Sequence, residues 1–173
     1  LRLPTKQPNS YIEFVYTMTD DDYMVDYKVN FVGLADLVNT NNQKVRLDWT
    51  MKSPDKEKDI ENQVQKTTMF YAFQDEDVDY IWETTDERIA LEEPVKWLSF
   101  KQQYFSVALI NNAGFFPAEN LEVESQSLFS QDYVKYLAAS VPMNIDPASQ
   151  SIDLDMYLGP NKFSILEDYN IGL

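Results

Sequence analysis

The feature that most constrains the fold is a strict alternation of apolar and polar side chains in two early segments. In residues 23–31 every second side chain is aromatic or aliphatic, and in residues 45–51 Val, Leu, Trp and Met alternate with Arg, Asp and Thr. Successive side chains of a β-strand point to opposite faces, so this period of two predicts strands with one buried face. The Asn-rich and Thr-rich residues 39–43 between them predict a hairpin loop.

Further strands and two short helices are predicted along the rest of the chain. One early strand carries Ile12, Phe14, Tyr16 and Met18 and ends at the acidic turn 20–22; later strands cover residues 68–74, 79–84, 121–128, 133–139 and 152–158, punctuated by Pro142 and Pro147. The predicted helices are residues 55–65, which follow Ser53 and Pro54, and residues 161–169. Many short strands predict a mainly β fold, a sandwich forming one domain over residues 1–173.

The residue types that are missing exclude most catalytic chemistry. The chain has no histidine, no cysteine and only four glycines. Ser-His-Asp and Cys-His nucleophiles, His-ligated or Cys-ligated zinc, disulfides and glycine-rich phosphate loops are therefore excluded. We expect a domain that is not an enzyme, with no catalytic residue, cofactor or metal. A pair of carboxylates, as in glycosidases, is the catalytic alternative that the 29 acidic residues leave open.

The net charge of −15 argues against nucleic acid and against anionic lipid surfaces as partners, because affinity for both depends on Lys and Arg that neutralise phosphates. Residues 75–79 read Asp-Glu-Asp-Val-Asp, which resembles the start of a calcium loop. The sixth position, however, is Tyr80 where an EF-hand needs Gly, and the twelfth is Asp86 instead of Glu. Solvated acids in a hairpin are the favoured interpretation.

Two tryptophans could line a sugar or peptide groove. Aromatic residues at strand spacing are more often part of the core, so Trp49 and Trp82 are expected to be core residues. No stretch is apolar enough to span a bilayer; the longest such run, residues 104–110, is interrupted by Ser106.

Two segments carry a family resemblance. In residues 95–110, Trp97 precedes a short polar run, the aromatic pair Tyr104 and Phe105, and an apolar strand. In residues 156–166, a strand ends at a Gly-Pro turn that leads into a helix. Both resemble the periplasmic domain of YidC-type insertases of the bacterial inner membrane (the YidC/Oxa/Alb family), where Lys usually stands at the position of Asn161. The motif residues are Trp97, Phe100, Tyr104, Phe105, Gly159 and Pro160.

The resemblance implies a large twisted β-sandwich, a supersandwich of mutarotase-like topology, with a short C-terminal helix. It also implies transmembrane helices before Leu1 and after Leu173, so that the domain meets the membrane only through segments outside this chain. The implied function is an accessory role in inserting and folding inner-membrane proteins, alone or with the Sec translocon. The implied partners are the Sec translocon with its auxiliary subunits and nascent membrane-protein segments. The motif residues are expected to have a structural role, with Trp97, Phe100 and Phe105 packed in the core.

Two other functions remain open at this point. One is a carbohydrate-binding or degenerate sugar-processing sandwich, which would need Trp49 or Trp82 exposed in a cleft. The other is a purely structural spacer between membrane segments.

Overall fold

Twelve strands and two short helices make up the regular structure of the residues that this computed structural model describes, namely 1–34, 44–75, 77–112, 114–128, 130 and 132–172. The strands are β1 (Arg2–Pro4), β2 (Tyr11–Met18), β3 (Met24–Val32), β4 (Lys44–Pro54), β5 (Thr68–Phe73), β6 (Val78–Tyr80), β7 (Glu87–Ala90), β8 (Val95–Lys101), β9 (Phe105–Asn111), β10 (Glu122–Ser127), β11 (Tyr133–Asn144) and β12 (Ser151–Pro160). The helices are α1 (Ile60–Lys66) and α2 (Phe163–Asp168). The prediction of a mainly β fold with a short C-terminal helix is confirmed.

The strands form two antiparallel sheets of unequal size. Sheet A has eight strands in the order β1-β2-β3-β12-β9-β8-β5-β6, and sheet B has four in the order β4-β11-β10-β7. One large apolar core joins the two sheets; it includes Tyr27 and Val29 from β3, Leu109 from β9 and Leu137 and Val141 from β11. The two sheets therefore pack face to face as a sandwich.

The alternation seen in the sequence gives each strand one buried face. In β3 the side chains of Val25, Tyr27, Val29 and Phe31 are buried, and those between them are more exposed. In β4 the same alternation separates exposed from half-buried positions, because β4 is an edge strand of sheet B. Both strand predictions are confirmed.

A second, smaller core lies on the outer face of sheet A, beneath α2. Its buried members include Trp97, Ala108, Tyr157, Leu166 and Ile171. Sheet A thus buries apolar side chains on both faces in its centre. Among the described residues, neither helix has the length and apolar character needed to cross a bilayer.

Three local predictions need correction. The strand predicted at residues 79–84 is wrong beyond Tyr80, where β6 ends. Residues 53–54 end β4 and do not start a helix. The helix begins later, because the Asp59 side chain accepts a hydrogen bond from the Asn62 backbone N at 3.0 Å and caps α1 there.

Pro142 does not interrupt its strand β11. β10 pairs with β11 only as far as Ser140, so the side of β11 that faces β10 needs no N–H donor at Pro142.

Strands β1, β7 and β8 are also present without having been predicted. β1 and β7 are only 3 and 4 residues long, and β8 contains the segment that was described as a short polar run. The predicted hairpin loop at residues 39–43 lies outside the described residues.

Candidate functional site

The two motif segments meet at one end of sheet A. Strands β9 and β12 pair so that Gly159 lies opposite Ser106 and Pro160 opposite Phe105. The Ser106 hydroxyl donates to Asn161 Oδ1 at 2.6 Å. Residues that lie some 55 positions apart in the chain therefore form one structural unit.

Asn161 connects the end of β12 to the turn between β8 and β9 through hydrogen bonds. Its backbone N donates to the Tyr104 carbonyl at 2.8 Å, and its Nδ2 donates to the Gln102 carbonyl at 2.6 Å. An amide can donate and accept at once, which a Lys side chain cannot do. Asn161 in place of the usual Lys therefore fits the neighbouring backbone groups, and Lys162 follows it as the N-cap residue of α2.

Gly159 is required because the ring of Tyr157 lies directly over it. A Cβ added at Gly159 would come within 2.5 Å of Tyr157 Cζ and of its hydroxyl oxygen. Tyr157 is fully buried, and its hydroxyl donates to the Pro160 carbonyl at 2.8 Å. The prediction of a Gly-Pro turn into the helix is wrong, because Gly159 and Pro160 are the last residues of β12 and α2 begins only at Phe163. Glycine is needed at position 159 for the steric reason given by Tyr157.

The motif aromatics divide into two pairs. Trp97 packs in the core beneath α2, and Phe100 packs between the sheets with its ring stacked on that of Trp49 at a centroid distance of 3.9 Å. Tyr104 and Phe105, by contrast, are 58% and 61% exposed. The prediction of core packing is wrong for Phe105, because it lies at the very start of β9 where the strand reaches the end of the sheet.

The two tryptophans considered as groove residues also differ. Trp49 is half-buried on the inner face of β4 and packs against the core. Trp82 is 65% exposed, just beyond β6, with its ring tilted against that of Tyr80 at 5.3 Å. The expectation of a core position is therefore wrong for Trp82.

The comparisons with known proteins agree with the motifs. The family model of the YidC periplasmic domain matches residues 1–173. The chain belongs to this family. The periplasmic location that the resemblance implied is thereby confirmed.

Three relatives illustrate how much of a longer protein is matched. The membrane protein insertase YidC of Parabacteroides distasonis is 29% identical over 175 residues, covering 100% of this chain and 27% of that protein. The protein of the same name from Azobacteroides pseudotrichonymphae is 30% identical over 94% of this chain and 26% of its own length. That of Porphyromonas gingivalis is 27% identical over 95% and 26%. The chain spans 26–27% of the length of these relatives.

Among the described residues of this YidC periplasmic domain, most of the exposed large apolar side chains lie at the same end as the motif junction. Strands β2, β8 and β12 finish there, and β3, β5, β9 and β11 start there. We call this region the apolar end, defined by nine exposed residues: Tyr16, Met18, Tyr23, Ile60, Trp82, Tyr104, Phe105, Tyr133 and Leu158. Exposed apolar patches of this kind mark interaction surfaces more often than chance exposure.

A second candidate surface is the free edge of β4. This strand runs for 11 residues and pairs only with β11 among the described residues, so one row of its backbone N–H and C=O groups has no strand partner there. The other sheet edges, β1, β6 and β7, are 3 or 4 residues long. A long free edge can accept an extended peptide as an additional strand.

The acidic run at residues 75–79 forms no ion site in the described part of the chain. Asp79 accepts hydrogen bonds from the Tyr80 backbone N at 2.8 Å and from the Tyr71 hydroxyl at 3.4 Å. Among the described residues, no group of three carboxylates comes together that could hold a metal ion. Glu76 lies outside the described residues.

A buried lysine was missed by sequence reasoning. Lys135 in β11 is completely buried, and its Nζ donates to the carbonyls of Thr67 at 2.8 Å and Glu83 at 2.5 Å. Burial lowers its pKa to about 8, and the carboxylates of Asp86 and Glu83 oppose that shift only in part. No pattern in the sequence distinguishes this lysine from the exposed ones. Through these two hydrogen bonds, Lys135 connects β11 to the end of α1 and to the segment after β6.

The lowered pKa of Lys135 should make the free energy of unfolding depend on pH. In the unfolded chain, the Lys135 ammonium keeps its proton up to pH 10.5, whereas in the folded state it releases the proton near pH 8. The free energy of unfolding therefore rises with pH between these values. Between pH 7.5 and 9.5, we expect Lys135 to add about 2 kcal/mol to the free energy of unfolding. Urea denaturation of the wild type and of Lys135→Met should show curves that diverge over this range, whereas Lys162→Met should follow the wild type. Parallel curves for Lys135→Met would contradict the assignment.

The measurement should stay below pH 10. Burial raises the pKa of Tyr71 and of Tyr157 to about 12, and an unfolded tyrosine ionises near pH 10. Above that pH, these tyrosines make the folded state less stable and would mask the contribution of Lys135.

Proposed function

We propose that residues 1–173 form one non-catalytic periplasmic domain of a membrane protein insertase of the inner membrane. In this proposal the domain assists the insertion and folding of membrane proteins, alone or with the Sec translocon and its auxiliary subunits. Membership of the YidC periplasmic domain family supports it, as do the relatives named membrane protein insertase. The absence of histidine and cysteine from the chain agrees with a binding role.

The observation that carries the binding role is the free edge of β4. Its inner face presents Val45, Leu47, Trp49 and Met51, all half-buried, and its outer face presents charged and polar side chains. An extended segment added beside β4 would gain backbone hydrogen bonds along the strand and apolar contacts on alternate residues. Such a site accepts many sequences, because the backbone supplies most of the affinity. That property suits a domain that holds varied nascent segments.

Photo-crosslinking tests the edge directly. Thr50 on β4, Ala138 on β11 and Glu124 on β10 lie in one row across the outer face of sheet B. A strand added beside β4 would be a direct neighbour of Thr50 but roughly 10 Å further from Glu124, since strands are about 4.8 Å apart. With a photoreactive amino acid at either position of the full-length insertase, stalled nascent membrane proteins should crosslink at Thr50 and not at Glu124.

Equal yields at the two positions, or no yield at either, would rule out the β4 edge as the binding site. A Thr50→Pro variant provides a second measurement, because proline lowers the capacity of an edge strand to pair. The same crosslinking experiment with the Sec auxiliary subunits present tests the proposed partner. Absence of any crosslink to those subunits from sheet A or sheet B positions would remove them from the proposal.

The carbohydrate alternative rests on the exposure of Trp82. Trp49 is already stacked on Phe100 and is half-buried, which makes it a poor sugar platform. Trp82 is then the one candidate platform of the two tryptophans, and our proposal predicts that a glycan array shows no binding that depends on it. A hit that disappears in Trp82→Ala would favour the carbohydrate function instead.

A further inference from the structure

The hydrogen bonds of β11 identify which residues of β4 direct their backbone groups toward the free edge. Even-numbered residues of β11 bond to β10, since the Leu128 N–H donates to the Val134 carbonyl at 2.8 Å in the register of that pair. Odd-numbered residues of β11 therefore bond to β4, where they lie opposite odd-numbered residues. The even-numbered residues of β4, from Lys44 to Lys52, thus point their N–H and C=O groups away from β11.

The same even-numbered residues carry the outward-facing side chains of β4, and three of the five are cations. We call these exposed residues the outer row of β4: Lys44, Arg46, Asp48, Thr50 and Lys52. Three cations and one anion give the row a net charge of +2, in a chain whose net charge is −15. In a strand added at the edge, the residue opposite each member would lie about 5.5 Å away between Cα atoms.

Two of the three cations already have acidic neighbours, but both ion pairs are exposed. Lys44 Nζ lies 2.5 Å from a carboxylate oxygen of Glu119, whose side chain is 69% exposed. Arg46 Nε lies 3.0 Å from a carboxylate oxygen of Asp48 in the same strand, and these side chains are 65% and 60% exposed. Exposed pairs of this kind contribute little stability, so their cations remain accessible to a further carboxylate.

The surroundings of the outer row do not cancel its positive charge. The outward-facing side chains of β11 next to it, at alternate positions from Tyr136 to Asn144, are all uncharged. The outward-facing acids Glu122 and Glu124 lie two strands away on β10, and Glu122 is paired with Arg88. Residues 55–59, which follow β4, carry three acids and two lysines. The excess of positive charge is therefore confined to the edge strand.

The segments that meet a periplasmic domain differ in charge from those left in the cytoplasm. The cytoplasmic loops of membrane proteins carry an excess of Lys and Arg. Segments that reach the periplasmic side, where this domain lies, are therefore comparatively poor in cations. A basic edge attracts the acidic members of that set, whereas the acidic remainder of the domain repels them from other surfaces.

We propose that the β4 edge prefers extended segments that carry one acidic residue opposite Arg46 and a second opposite Lys52. Opposite charges that face each other across paired strands stabilise the pairing, and like charges destabilise it. Because the two cations are six residues apart, the two acids of the segment are six residues apart as well, whichever way the segment runs. Apolar residues occupy the alternate positions between them, opposite the inward-facing Leu47, Trp49 and Met51. This inference rests on the proposed function, in which extended nascent segments pair with β4.

Two designed peptides that bind the full-length insertase test the preference. Each has a seven-residue core with Val at the second, fourth and sixth positions and Thr at the third and fifth. The first and seventh positions are Asp in one peptide and Lys in the other. In fluorescence anisotropy at low salt, we expect the Asp peptide to bind about tenfold tighter, because two facing charge pairs change from repulsive to attractive. The difference should shrink in 1 M NaCl, where the Debye length is about 3 Å.

Charge reversal on the protein assigns the preference to the edge. In the double variant Arg46→Glu with Lys52→Glu, the Lys peptide should bind more tightly than the Asp peptide. The matched control is Lys6→Glu with Lys162→Glu. Both lysines are exposed and lie outside β4, and this variant changes the net charge by the same amount. It should keep the wild-type preference.

The other outcomes separate this preference from the proposed function. Thr50→Pro removes an N–H that points to the free edge and keeps the pairing with β11. Equal affinities of the two peptides, with binding lost in Thr50→Pro, would overturn the charge preference and leave the proposed function intact. A preference lost equally in both charge-reversal variants would reflect net charge alone and would also overturn it. If neither peptide bound, or if Thr50→Pro left their binding unchanged, the β4 edge itself would be excluded as the binding site.

Discussion

Replacing Gly159 with alanine is expected to lower the free energy of unfolding by about 1–3 kcal/mol, the cost of overpacking a buried site. The new methyl group would meet the ring of Tyr157 at 2.5 Å. The ring cannot move away freely, because Tyr157 is fully buried and packs near Tyr23 and Tyr169 at centroid distances of 6.2 and 5.3 Å. Displacing it would also break the hydrogen bond from its hydroxyl to the Pro160 carbonyl. Urea denaturation measures the change.

A matched control and a double mutant separate this cause from a general intolerance of side chains. At Gly172, an added Cβ would meet only Val78, at an ordinary 3.4 Å, so Gly172→Ala should change stability by less than about 0.5 kcal/mol. In the background of Tyr157→Ala, the ring is gone and Gly159→Ala should cost little. If Gly159→Ala were as harmful in that background as in the wild type, the steric explanation would be wrong.

The second large effect distinguishes the two phenylalanines of the first motif. Phe100→Ala should lower the free energy of unfolding by about 3–5 kcal/mol, because it opens a cavity between the sheets. Phe100 is 1% exposed and stacks on Trp49. Phe105→Ala should change stability by less than about 1 kcal/mol, because most of that ring is already in contact with solvent. Denaturation followed by tryptophan fluorescence measures both variants.

Comparable losses in the two variants would mean that Phe105 is covered in solution. That result would contradict its position at the exposed start of β9. A small loss in Phe100→Ala would instead contradict the packing of Trp49 against the core.

The strand segments could be predicted because burial on one face leaves a local signature. In β3 and β4, the side chains that face the core are two residues apart, and the sequence shows that spacing directly. The C-terminal helix was likewise predictable from the apolar residues of α2, although Gly159 and Pro160, interpreted as its entry turn, lie within β12. Family membership followed from two motifs that are each short and contiguous.

Phe105 shows where a local pattern stops being informative. It lies four residues before Leu109 in β9, so strand periodicity assigns both side chains to the same, inner face. Leu109 is buried there and Phe105 is not. The difference depends on how far the opposite sheet and the neighbouring loops extend, which no stretch of β9 encodes.

Lys135 illustrates the same limit for a polar residue. Its neighbours Val134 and Leu137 are buried too, yet a lysine within a strand is normally assigned to solvent. Its carbonyl partners come from the end of α1 and from Glu83, respectively 68 and 52 positions away in the chain. Only the folded chain brings them to the ammonium group.

By itself, the sequence determined the β-rich class, the faces of the main strands, the C-terminal helix and the two motifs that indicate the family. These follow from residue types at short spacing, because hydrogen bonding and side-chain direction within one element are local. The tertiary structure decided that the motifs at Phe105 and Pro160 are paired and that Lys135 is buried. It also decided that β4 is an edge strand among the described residues and that nine exposed apolar residues share one end. Those properties depend on which elements become neighbours and where each sheet ends, and they exist only once the two sheets have packed.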